Sequence, residues 1–147
     1  MTPPSDRDGG WRELGWGSDA ALLVWGMTLA ELLDHGARAV IEFSTMAPSE
    51  PEAVSGPAVE INAPDTIELF IDWLSEVNYR LQVDRWLTRT PLFSVVSDTQ
   101  VAARLDGYAM AGSATTFVHE IKAVTRHRPL LRRGTNGLWV ARVVLDL

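Results

Sequence analysis

Cysteine is absent from the chain, which rules out a disulfide framework, a thiolate metal centre and a cysteine nucleophile. No apolar run approaches the ~20 residues that a membrane-spanning helix requires. The polar, Pro- and Gly-containing opening from Met1 to Trp11 lacks the basic-then-apolar order of a secretory signal. The expectation is a cytoplasmic protein without membrane contact, beginning with a flexible tail over residues 1–13. Basic residues are also in the minority, 13 Lys and Arg against 19 Asp and Glu, for a net charge of −6. A protein that grips a nucleic-acid backbone unaided draws its affinity from Lys and Arg, so this balance argues against one and makes any basic patch local. There is no Gly-rich phosphate loop and no nucleophile beside an obvious base, which leaves autonomous catalysis with little support.

What the chain has in quantity is apolar surface, 46% of 147 residues. That is enough for one compact domain, placed at residues 14–147. "DAALLVWG", Asp19 to Gly26, is a short apolar run closed by glycine and predicts a buried strand. Thr28 and Glu31 have capping-box spacing. Beyond them Leu29, Leu32, Leu33, Gly36, Val40 and Phe43 recur at helical intervals, with Glu31, Asp34, His35, Arg38 and Glu42 opposite. Residues 44–57 contain three prolines and a glycine and predict an exposed loop. "AVEINAP" predicts a short strand stopped at Pro64. Asp65 and Glu68 then open a second helix with a core stripe of Ile67, Phe70, Ile71, Leu74, Val77 and Leu81, widened by Trp73 and Tyr79. A helix this apolar should be contacted on more than one side.

From Arg85 onward the period falls to about two. "PLFSVVS", "VAARLDGYAMAG", "TTFVHEIKAV" and "LWVARVVLDL" predict strands, the last preceded by an Asn-Gly turn in "RGTNG". In the final strand Trp139, Ala141, Val143, Leu145 and Leu147 share one face, and Arg142, Val144 and Asp146 the other. The order predicts an α+β fold, two amphipathic helices packed on a largely antiparallel or mixed sheet.

Three blocks carry a resemblance. "SDAALLVWGMTLAELLDHGARAV", "IDWLSEVNYRL", and "EIKAVTRH" together with the terminal "VVLDL" are similar to the opening, middle and closing blocks of the archease family, over about Asp19 to Leu147. The resemblance implies a small cytoplasmic accessory protein of the RtcB-type RNA-splicing ligase, which joins RNA ends using GTP and a metal ion. Such a protein promotes guanylation of the ligase and multiple turnover in tRNA splicing or RNA repair, is not itself catalytic, and meets RNA only through the ligase. It also implies a divalent cation, Ca²⁺ first, with Mg²⁺ or Mn²⁺ as alternatives. The family's metal positions fall on Asp19, Asp146 and Leu147, and its partner-activating lysine on Lys122. Two positions depart from the family pattern. Trp16 of "WGSD" stands where the family has the histidine of His-Thr-Ala-Asp, and Arg126 stands where it has an aromatic residue between Thr and His.

Chemistry without the family leaves alternatives open. Asp19 and Asp146 both fall at strand ends, and the α-carboxylate of Leu147 adjoins Asp146. Carboxylates brought together repel unless a cation joins them, and an all-oxygen set suits a hard ion rather than zinc. Equally, Asp19 can simply start a strand, and an Asp at an exposed strand end is ordinarily solvated. Lys122, at the parity of Glu120, can supply a nearby counter-charge. Arg126, His127 and Arg128, with Arg132 and Arg133, fall in the turn region that follows and can present a basic edge to an acidic partner surface or to RNA phosphate, or merely keep a sheet edge soluble. A lone histidine such as His127 more often bonds locally than performs acid–base chemistry. His35 sits on a polar helix face, and His119 shares a parity with Phe117 and Ile121 that suits a core position. Six tryptophans can stack bases, although Trp73 and Trp139 lie on apolar faces where packing is the simpler role. The competing functions are a small divalent-metal-dependent phosphoester hydrolase and a chaperone-like interaction module.

Overall fold

Both helices start where their caps require. In the computed structural model, which describes residues 9–16 and 19–147, helix α1 spans Leu29–Ser44 and α2 spans Thr66–Gln82. The Thr28 hydroxyl accepts from the Glu31 N–H at 3.0 Å, and the Asp65 carboxylate accepts from the Glu68 N–H at 2.8 Å, each satisfying an otherwise orphaned donor of the first turn. The reciprocal half of the α1 capping box is displaced by one residue, since the Glu31 carboxylate accepts from the N–H of Met27 (3.1 Å) and not from that of Thr28. The α1 stripe buries as expected at Leu32, Leu33, Gly36, Val40 and Phe43, with Leu29 only partly buried against it. On α2 the stripe runs through Trp73, fully buried with its indole N–H donating to Leu33 O at 2.7 Å. Tyr79, expected to widen the stripe, is 51% exposed.

The strands, all paired antiparallel among the described residues, make three sheets where the sequence predicted one. The first has the order β1 (Trp11–Trp16), β2 (Asp19–Gly26), β10 (Trp139–Asp146), β8 (Ala123–Val124), with β9 (Leu130–Arg133) also on β10. The second pairs β3 (Thr45–Met46) with β7 (Thr116–Phe117), and the third has the order β4 (Ala58–Asn62), β6 (Gln100–Ala109), β5 (Trp86–Val96). α1 packs against α2, against β2 of the first sheet and against β5 of the third, so the helices lie between the two larger sheets. α2 touches β4, β5, β6, β8 and β9 as well as α1, the multi-sided burial its composition demands. Each large apolar side chain fully buried there stabilises the fold by about 1.5–3 kcal/mol relative to exposure.

Several expectations are corrected. The sheet begins at Trp11, inside the stretch 1–13 expected as a tail, and the rest of that stretch up to Asp8 lies outside the described residues. The segment 115–124 is not one strand. Only Thr116–Phe117 and Ala123–Val124 pair, and the turn between them is tied down by Val118 N–H and His119 N–H, both donating to Ser44 O. His119 is therefore not a core residue; it is exposed, its ring stacked on Phe43 at 4.7 Å. His35 is not a bland surface residue either. Its Nδ1 lies 2.6 Å from the Trp25 carbonyl, and it is overlaid by Gly10, where a Cβ would collide with the imidazole. The loop 44–57 contributes β3 and is pinned at Val54, which exchanges two backbone hydrogen bonds with Gly107. No helix among the described residues is long and apolar enough to cross a membrane.

Candidate cation and partner site

The first sheet brings the two ends of the sequence together. β2 and β10 pair with Ala20 opposite Leu145; continued by one residue, this register sets Asp19 opposite Asp146. Both are exposed. Along β10, pleating puts Asp146 on the same face as Val144, Arg142 and Val140, and along β2 it puts Asp19 on the face of Ala21, Leu23 and Trp25. Asp19 and Asp146 accordingly line one shallow depression of about 170 Å³ together with Thr125, His127, Val144 and Leu145. Like charges facing each other on neighbouring strands destabilise the pair, and a cation between them removes that cost.

The third wall of the depression is the turn after β8. Thr125 N–H donates to Val144 O at 2.9 Å, and His127 N–H donates to Thr125 Oγ1 at 3.2 Å. Thr125 was not singled out from the sequence; its position two residues before His127 was the only local signal. Trp16 ends β1 opposite Asp19, while Gly17 and Ser18 of the "WGSD" motif lie outside the described residues.

Lys122 and Leu147 are placed differently. Lys122 precedes β8 and does not belong to a strand, and its N–H donates to the Asp146 carbonyl at 2.8 Å. The β8–β10 register, with Val124 on Leu145 and Ala123 on Asp146, when extended puts Lys122 beside Leu147, one step out of phase with Asp146 and thus toward the other face. Lys122 lines a groove of about 420 Å³ with Asn78, Tyr79 and Gln82 of α2 and the capping residue Val83. Asn78 closes the floor by donating from Nδ2 to Ile121 O at 2.9 Å. Leu147 is 43% exposed.

Of the expected basic edge, Arg126 is engaged within the molecule. Its Nε donates to both Glu68 carboxylate oxygens (3.1 and 2.8 Å) and its Nη2 to Asp72 Oδ1 (3.2 Å). These partners raise the guanidinium pKa further, chiefly through the Glu68 hydrogen bond. Asp72 is raised from its ordinary value by desolvation, against the lowering influence of Arg126. Arg128 has a left-handed backbone (φ +47°), and its carbonyl accepts from Arg142 at 3.0 Å. Arg132 and Arg133 belong to β9, where the Arg133 guanidinium lies over the Trp139 ring at 5.7 Å.

The model of the Archease protein family matches residues 11–147. The archease of Methanopyrus kandleri is 32% identical over 149 residues, spanning 93% of this chain and 99% of its own. The chain belongs to the archease family. The archease of Methanosarcina mazei is 31% identical, over 88% of this chain and 90% of that one. Among solved structures, a protein of Methanobacterium thermoautotrophicum superposes with a TM-score of 0.71 at 28% identity, covering 95% of this chain and 99% of that one. The Thermotoga maritima structure described as "an archease, possible chaperone" superposes with a TM-score of 0.58 over 100% of this chain and 98% of its own; at 17% identity it speaks for the fold alone. The family match begins at Trp11, where β1 starts, three residues before the expected domain boundary at residue 14.

The donor set at the depression fits a hard cation. It offers the Asp19 and Asp146 carboxylates, the Thr125 hydroxyl and the His127 imidazole, with no sulfur, although among the described residues no three His, Asp or Glu side chains are gathered closely enough to hold an ion by themselves. Such a site leaves several coordination positions to water, as Mg²⁺ and Ca²⁺ accept and structural zinc does not.

Proposed function

We propose that this archease binds a divalent cation, Ca²⁺ in the first instance, between Asp19 and Asp146 with Leu147 alongside, and activates an RtcB-type RNA ligase by promoting its guanylation. The observation that carries the reading is the convergence of two aspartates, one from each end of the sequence, on a single depression in a chain of this family. Bound there, the ion would supply a positive charge at the two aspartates, to which a carboxylate or phosphate of a partner can bind. Lys122, held through its backbone to Asp146 but lining the neighbouring groove, would meet the ligase beside the ion rather than compensate the aspartates directly. RNA is met only through the ligase, and the protein performs no chemistry alone.

Two measurements test this. Calorimetric titration with Ca²⁺ should show binding that Asp19→Asn and Asp146→Asn each weaken by roughly tenfold or more, since affinity in oxygen sites follows ligand charge. A guanylation assay with the cognate ligase should show faster guanylation and many turnovers on addition of the wild-type protein, and neither with Asp146→Asn. A ligase unaffected by the wild-type protein would refute the partner assignment, and phosphoester turnover by the protein alone would replace it with a hydrolase.

A further inference from the structure

The wall of the depression formed by Thr125 to Arg128 is a tight, unusual piece of backbone. Arg128 holds a left-handed conformation without being glycine, a state that persists only where the surroundings over-determine it. Restraints on its backbone among the described residues include three hydrogen bonds: Thr125 N–H on Val144 O, His127 N–H on Thr125 Oγ1, and Arg142 on Arg128 O. All three fasten the wall to itself or to β10. Among the described residues, the wall side chain that hydrogen-bonds to α2 is that of Arg126, which takes the carboxylates of Glu68 and Asp72 in a fork. Glu68 and Asp72 are four apart on α2 and so project from one helix face. Arg126 is 60% exposed, and exposed ion pairs contribute little to global stability. A three-contact fork is nonetheless geometrically exacting. Its consequence is local placement.

We infer that Arg126 is a positioning residue for the Asp19–Asp146 site, a latch that sets the wall carrying Thr125 and His127 by clamping it to α2. The inference rests on the cation-binding reading above. It assigns to the departure from the family's aromatic a function specific to this chain, and it removes Arg126 from the residues free to contact a partner.

Charge and position predict opposite signs, which makes the test sharp. A guanidinium close to a cation site repels the ion, so if charge alone mattered, removing it would tighten binding, and reversing it would tighten binding further. A latch predicts weakening in both cases. The full-length protein and its Arg126→Ala, Arg126→Glu and Arg126→Glu/Glu68→Arg variants are titrated with Ca²⁺ by calorimetry, with thermal midpoints measured in parallel. The expected result is a loss of about tenfold in affinity for the two single variants, the size seen when groups supporting a metal site are removed, with partial recovery in the double variant, which restores the 68–126 arm of the clamp with reversed polarity but not the Asp72 arm. Midpoints should hardly move, which separates positioning from general destabilisation. Unchanged or tighter binding in Arg126→Ala and Arg126→Glu, with the wild type binding normally, overturns the latch and leaves the cation site standing. Absence of binding by the wild type overturns both. Should Arg126→Glu fail to fold, Arg126→Ala alone still gives the deciding sign.

Discussion

At the scale of single residues, this fold is governed by how closely side chains approach rather than by intrinsic propensity, and Gly36 is the clearest case. It faces α2 from the middle of α1, where a Cβ would lie 2.8 Å from Leu74 Cδ2 and 3.0 Å from Phe70 Cε1. Both neighbours are fully or almost fully buried, so neither has room to yield. Helix propensity favours alanine over glycine by about 1 kcal/mol, whereas overpacking a close-packed core costs about 1–3 kcal/mol. Packing should win, and Gly36→Ala is expected to lower stability by about 1 kcal/mol in urea unfolding. A net gain would mean that the helix interface has slack. The same logic separates Trp73 from Tyr79, which the sequence grouped on one stripe. Trp73 faces α1 and satisfies its indole on Leu33 O, while Tyr79, six positions on, has rotated past the core to the rim of the groove shared with Lys122.

At the scale of elements, periodicity and caps made the helices, β2, β10 and the turn of the β9–β10 hairpin legible, because each of these is decided by its own residues; β9 itself was not, since Arg132 and Arg133, expected in a turn region, pair with β10. The hairpin carries its turn in the sequence: Gly137 adopts φ +84° and its N–H donates to Gly134 O at 2.9 Å. What was not legible was decided by partners far along the chain. Residues 118–122 alternate as a strand would, yet Ser44 takes two of their N–H groups and α2 takes the Ile121 carbonyl. The proline-rich loop 44–57 is likewise fixed from a distance. Gly56 N–H donates to Asp106 Oδ1 at 3.0 Å, and any Cβ at Gly56 would collide with the Leu105 carbonyl. Arg104 forks the same Asp106 carboxylate at 2.7 and 2.8 Å. The Arg104 hydrogen bond first, then the Gly56 N–H, holds Asp106 below the ordinary carboxylate value. A carboxylate lowered in the folded state contributes stability that is present above its unfolded pKa and lost as pH falls through the folded one. Protection of the Val54 and Gly107 amides against exchange should therefore survive from neutral pH to about pH 4 and decline only in stronger acid. Asp106→Asn, which mimics the protonated carboxyl, should lower that protection at neutral pH and flatten its acid dependence, the two proteins converging in strong acid. A wild-type profile already declining near pH 6 would contradict this attachment of the loop.

At the scale of the whole molecule, half of the candidate site could be read from sequence and half could not. Asp19 and Asp146 were identifiable as strand-end carboxylates, but their convergence depends on β2 and β10 being neighbours in the middle of one sheet, which no local pattern specifies. On the other side of β10, the register with β8 puts Lys122 out of phase with Asp146, a one-residue matter that no local pattern decides. The adjacency of β2 and β10 also has a thermodynamic consequence. β2 and β10 carry the core on one face through Leu22, Val24, Ala141 and Val143 and a second cluster through Leu23, Trp25 and Val140. α1 reaches from β2 across to β5, so losing either large sheet strips the apolar face of a helix that the other sheet also needs. Unfolding should be a single transition, with far-UV circular dichroism and tryptophan fluorescence coincident. An ion held between the ends of β2 and β10 binds only when those strands are paired, and should therefore stabilise the entire domain by mass action, about 2.7 kcal/mol when free Ca²⁺ is a hundredfold above its dissociation constant. Both probes should shift together by the same amount, and in Asp146→Asn, which binds at least about tenfold more weakly, the shift at that concentration should fall to about 1.4 kcal/mol or less for both. If Ca²⁺ moved one probe and not the other, the two sheets would be unfolding separately, and the helices between them could not be the shared core that joins them.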